Sequence, residues 1–146
     1  MIAKIKDFLN SMIETDASAS EEDHRIAIVS LLCEVCNANH SIADKEEEAV
    51  VRTLSKLLHI DTDKAQELLE IGKEEIKSSN SLFDFTSQLS HLDSESRIRL
   101  ISAMWEVAYA DNHLDPIEES IIRKVAALIY VGHNEFIRTK LAVMPS

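Results

Sequence analysis

The sequence predicts an all-α fold of about seven to eight helices, with two repeated antiparallel helix hairpins inside it. Two glycines and two prolines among 146 residues leave almost no turn chemistry for β-hairpins. Apolar residues recur three and four apart along nearly the whole chain, the period that lines one face of a helix. A chain of this length is expected to build one core, so residues 1–146 are read as a single domain.

The elements follow in order. Ile2, Ile5, Phe8, Leu9, Met12 and Ile13 form the stripe of a first helix, and the polar stretch up to residue 20 reads as its connection. A second helix over 21–39 offers Ile28, Val29, Leu32, Val35 and Cys36 to the core, and a third over 44–58 offers Val50, Val51, Leu54, Leu57 and Leu58. The loop between them is short, which makes residues 21–58 an antiparallel hairpin. Asp61 and Asp63 are N-cap candidates for a fourth helix through Lys77, with Ala65, Leu68, Leu69 and Ile71 facing inward. A shorter fifth helix carries Leu82, Phe83, Phe85 and Leu89. Asp93 opens a sixth helix to about Ala110; Asp115-Pro116 opens a seventh to about Tyr130, with Gly132 as its stop signal. These two form the second hairpin, residues 93–130, and a short helix over 134–141 closes the chain.

Fifteen basic against 26 acidic residues give a net charge of −11, a field that repels phosphate backbones and anionic headgroups. Nucleic acid is therefore not an expected partner, whereas cations and basic protein surfaces are. No apolar run reaches the roughly 20 residues of a membrane span, so no transmembrane segment is expected. The charged first residues do not form a signal sequence. A cytoplasmic location follows as the expectation. It agrees with Cys33 and Cys36 being the only cysteines, too few for a disulfide framework.

The stretch from Glu34 to Glu47 aligns without a gap on Glu106 to Glu119, at a constant offset of 72 residues. Glu34 meets Glu106, Val35 meets Val107, Ala38 meets Ala110, Ile42 meets Leu114, and Glu46-Glu47 meets Glu118-Glu119. Shared carboxylates at both ends of the match favour an internal duplication.

The second copy, Ala108-Tyr-Ala-Asp-Asn-His-Leu-Asp-Pro-Ile-Glu118, resembles the signature of the tellurite-resistance protein B-like (TerB-like) family: Ala-x-Ala-Asp-Gly, an aliphatic residue two further on, then Glu. The resemblance extends from about Ala27 to the C-terminus. It implies an all-helical domain carrying this hairpin twice, which binds divalent metal through acidic residues near the two loops. Asn112 and His40 stand where the pattern has Gly, and Asn39 replaces the first-copy Asp, so the first loop is the degenerate one.

The more intact ligand set is Asp111, Asp115 and Glu118, hard oxygen donors suited to Mg²⁺ or Ca²⁺, with Zn²⁺ the third candidate ion. The wider set adds Asn39, Asp44 and Glu46 from the first copy and the matched pair Glu34 and Glu106. A second use competes at each position. Asp115-Pro-Ile-Glu118 also has the form of a helix capping box. Glu34 and Glu106, inside apolar helices, are expected to be partly buried and either paired with an arginine among Arg25, Arg52, Arg97, Arg99 and Arg123 or bonded to the neighbouring loop.

The loop is not an EF-hand, since the twelfth position counted from Asp111 is Ile122. Cys33 and Cys36 have CxxC spacing but lie within a helix, and with only His40 nearby they read as buried thiols. Trp105 and Tyr109 read as core, and the loop histidines His40 and His113 as bystanders. No HExxH or nucleophile–His–acid pattern occurs, so the chain is read as a non-enzymatic metal-binding domain acting in metal or oxyanion stress. The alternative is a helical protein-interaction module whose acidic loop residues only cap helices.

Overall fold

The computed structural model describes residues 21–37, 42–79, 81–110 and 112–144. Within these residues the chain is helical with no strand. Helix α1 covers residues 21–36, followed by α2 (Asp44–Leu58), α3 (Thr62–Ser78), a single turn α4 (Phe83–Thr86) continued by a 3₁₀ turn (Ser87–Leu89), α5 (Ser94–Ala108), α6 (Pro116–Leu128) and α7 (His133–Val143). The first helix expected from the sequence lies outside the described residues. No helix among the described residues is long and apolar enough to cross a membrane.

Helices α3 and α5 each open on an aspartate cap. Asp61 accepts the Lys64 amide at 2.8 Å to open α3, and Asp93 accepts that of Ser96 at 2.8 Å to open α5. Helix α2 starts at Ala43 with no side-chain cap, so its first turn relies on Asp44, Glu46 and Glu47 against the helix dipole.

Two helix ends fall short of the sequence expectation. Helix α5 stops at Ala108, because the Asn112 amide turns back to the Tyr109 carbonyl at 2.8 Å and Asn112 takes a left-handed φ of 62°. Helix α6 stops at Leu128 in a Schellman arrangement: Val131 N–H reaches the Ala126 carbonyl at 2.8 Å and Tyr130, at φ 63°, occupies the left-handed position. Gly132, expected as the stop signal, instead lies at the N-cap of α7.

Helix α5 is the central element, packing on α2, α6 and α7 and burying Leu100, Ile101, Ala103, Met104, Trp105, Val107 and Ala108. Helix α1 is buried almost continuously from Ala27 to Cys36, interrupted by the half-buried Glu34. A helix apolar on nearly all sides is a core helix. It approaches α3 closely at Gly72, where an added Cβ would stand 3.0 Å from Val29 Cγ1, 3.2 Å from Cys33 Sγ and 3.3 Å from the Val29 backbone carbon.

Gly72→Ala gains roughly 1 kcal/mol of helix propensity. It loses about 1–3 kcal/mol to overpacking, and the backbone carbon of Val29 cannot yield as a side-chain end can. The expected net result is destabilisation, read as a lower urea midpoint at unchanged slope; a raised midpoint would show that α1 and α3 separate freely.

Candidate functional site

The two interhelical loops are entered and left by repeat-matched residues, and the carboxylates there divide their work. In each copy the second Glu of the pair ties its hairpin to the next helix. Glu47 accepts from Lys73 of α3 at 2.7 Å, and Glu119 is bonded to Lys140 of α7. The hydrogen bond to Glu47 holds the Lys73 ammonium above its ordinary pKa.

The first Glu of each pair turns inward. Glu118 is only 8% exposed, a degree of burial unusual for a carboxylate. One of its oxygens accepts the Asp115 amide at 3.0 Å while Asp115 accepts the Ile117 amide at 2.7 Å, so the capping box read from the sequence is formed. The first copy has Ala43 where the second has Asp115, so no such box forms there and the carboxylate of half-buried Glu46 bonds the Cys36 thiol instead.

Cys36, at the C-terminal end of α1, is the residue on which acidic side chains of both copies act. Burial pushes its thiol well above the ordinary range, and the negative charges of Glu46 from one hairpin and Glu118 from the other push it further. Cys33, one turn earlier, is raised to about 12, again chiefly by burial. Both are buried free thiols, as the sequence implied, and neither has the depressed pKa of a reactive nucleophile.

The other residues singled out in the sequence lie as follows. Asn39, His40 and Asp111 fall outside the described residues. Asp44 is exposed as the first residue of α2, and Asp115 is half-buried. His113 is exposed. Trp105 is in the core as expected, and Tyr109 is half-buried against it. Among the described residues no group of three or more His, Cys, Asp or Glu is placed to hold a metal ion.

Glu34 and Glu106 depart from the expectation. Glu106 is exposed, because its face of α5 borders an open groove beside Lys56, Leu57 and His59 at the end of α2. Glu34 is half-buried, but it lines a separate groove against α6. Neither has an arginine partner among the described residues: Arg25 pairs with Glu21 and Glu22, Arg97 bonds the Ser90 carbonyl, Arg99 pairs with Glu95, and Arg123 lies over the Phe136 ring. Sequence reasoning also missed Cys36 as the residue on which both copies act. The one signal was its alignment with small Ala108 at the matching helix end.

Desolvation without a compensating partner raises the Glu34 carboxyl above its ordinary pKa. The folded state thus holds that proton more tightly than the unfolded chain, and wild type loses stability as pH rises from the unfolded carboxylate value of about 4.3 through the raised folded one. Glu34→Gln is therefore expected to be more stable than wild type at neutral pH, with the gain vanishing below about pH 4. Paired thermal melts across that range test it, and a neutral-pH loss would reveal a compensating contact.

The family model described as Tellurite resistance protein TerB matches residues 25–141 of this chain. The match spans both hairpins and both acidic loops. The chain belongs to the TerB family. Comparison with curated proteins and with solved structures returned no match. Within this TerB domain the matched region begins in α1 and ends in α7, so Glu46, Glu118 and Cys36 are all family-region residues.

Proposed function

We propose that this TerB domain is non-enzymatic and binds a divalent cation, Mg²⁺, Ca²⁺ or Zn²⁺, between its two interhelical loops, in a response to metal or oxyanion stress of the tellurite type. The observation that carries this reading is the burial of the repeat-matched carboxylates, Glu118 at 8% exposed and Glu46 half-buried, on different hairpins that both add negative charge at the buried Cys36 thiol. A carboxylate held away from water is costly to keep charged, and a bound cation offsets that desolvation. Asn39, Asp111 and Asp115, the loop residues singled out in the sequence, are the further ligands of this proposal.

A second reading has its own observation. The formed capping box already occupies Asp115 and an oxygen of Glu118 with backbone amides, and if that is their whole role the domain is a helical interaction module. Calorimetry separates the two. Chelator-treated protein titrated with Mg²⁺, Ca²⁺, Mn²⁺ and Zn²⁺ is expected to give saturable one-site binding for at least one of them, lost in Glu46→Gln and Glu118→Gln. Heats of dilution alone across all four ions would leave the interaction reading.

A further inference from the structure

The groove holding Glu34 belongs to neither acidic loop. It has a volume of about 700 Å³ and is bounded by α1 through Glu34, by Ser79, Ser81, Leu82 and Phe83, and by α6 through Ile121, Lys124 and Leu128. That volume lies in the range of occupied binding pockets. Its walls are largely apolar, and two of them are large side chains left in water: Phe83 is 60% and Leu128 40% exposed.

One carboxylate stands among these apolar groups. Glu34 has no hydrogen bond or ion pair among the described residues, and none joins it to Lys124, which is exposed at the groove's edge. A half-buried carboxylate without a partner costs free energy that an incoming cation would recover. The groove's shape narrows the class of cation. Ile121, Lys124 and Leu128 are positions i, i+3 and i+7 of α6, so one wall runs along two helical turns, about 10 Å. A straight wall of that length, apolar at both ends with Lys124 between, fits the i, i+3, i+7 face of a second helix.

We propose that this groove docks an amphipathic helix of a partner protein, seating one lysine or arginine side chain on Glu34 and its neighbouring aliphatic or aromatic residues against Phe83 and Leu128. Lys124 disfavours a merely polybasic partner. It meets an acidic residue one turn from the seated base, so the preferred helix is mixed in charge. The overall charge of −11 brings basic segments toward the protein, while the groove selects the one that fits. The proposal is separate from the cation site proposed above, which does not use Glu34.

The probe is a synthetic, net-neutral helical peptide of leucine, alanine and glutamine with one lysine beside the leucine stripe and one glutamate a turn away. A second peptide replaces that lysine with glutamine. Binding is followed by amide chemical shifts on the intact protein. The lysine peptide is expected to perturb resonances of α6 and residues 79–83 and to bind about tenfold more tightly than the glutamine peptide, the scale of one charge-assisted hydrogen bond.

Glu34→Gln should erase that difference. Glu106→Gln, which removes the same charge at the repeat-matched exposed position, should preserve it, and Leu128→Ser should weaken both peptides together. Equal losses in Glu34→Gln and Glu106→Gln would show general electrostatic attraction and overturn the proposal. So would perturbations confined to the acidic loops, or no binding of either peptide.

Discussion

Trp105→Ala is expected to remove about 3–5 kcal/mol of stability, a large share of what a domain of this size possesses. The ring is fully buried in α5, with the Phe136 ring centroid 5.1 Å away and Tyr109 at 6.4 Å. Its indole N–H donates to the Thr139 hydroxyl at 3.1 Å, tying α5 to α7. Truncation thus opens a cavity at the one point where α5 and α7 are joined by both packing and a buried hydrogen bond.

The consequence reaches the acidic loop. Lys140, which lies over the same ring at 5.7 Å, is the residue bonded to Glu119 at the start of α6. Trp105→Phe keeps most of the apolar contact, forfeits only the hydrogen bond, and should cost well under half as much. Urea unfolding followed by circular dichroism measures both, since the only tryptophan fluorophore is deleted. A loss below about 1.5 kcal/mol for the alanine variant would mean that α7 closes over the site, contrary to its rigid packing here.

The fold was legible because helices announce themselves twice, through an apolar stripe and through caps. Asp61, Asp93 and Asp115 all open helices as read, and Val50, Leu54, Leu68 and Leu69 take core positions that periodicity assigns. Helix ends were less legible, since a left-handed stop can be taken by Tyr130 at an energetic cost no propensity scale anticipates, leaving Gly132 to another role.

At the candidate site, the repeat aligns Glu46 with Glu118 but says nothing of the direction each side chain takes. Position in a helix assigns Glu34 and Glu106 the same place. Their surroundings differ because α1 is enclosed on nearly all sides while α5 leaves one face to water. Cys36 was read as packing alone, because electrostatic coupling to two distant carboxylates exists only after the hairpins are brought together.

Glu118→Gln separates the two uses of the acidic loop by the condition under which its effect is seen. Gln serves at the third position of a capping box as Glu does, so the metal-free variant should melt close to wild type. A cation present at about 100 times its dissociation constant stabilises the fold by roughly 2.7 kcal/mol, and a variant lacking a charged ligand should lose most of that increment. Asp111→Asn is expected to behave in the same way, because a carboxylate contributed to a cation has no neutral equivalent of comparable strength. Asp115→Ala behaves differently under the capping reading: loss of the N-cap costs about 0.5–2 kcal/mol with or without metal. Thermal melts of the four proteins, with chelator and with millimolar cation, give the whole pattern. If wild type shows no cation-dependent rise and Asp115→Ala alone is destabilised, these carboxylates cap helices and solvate the loop, and the cation-binding proposal is wrong.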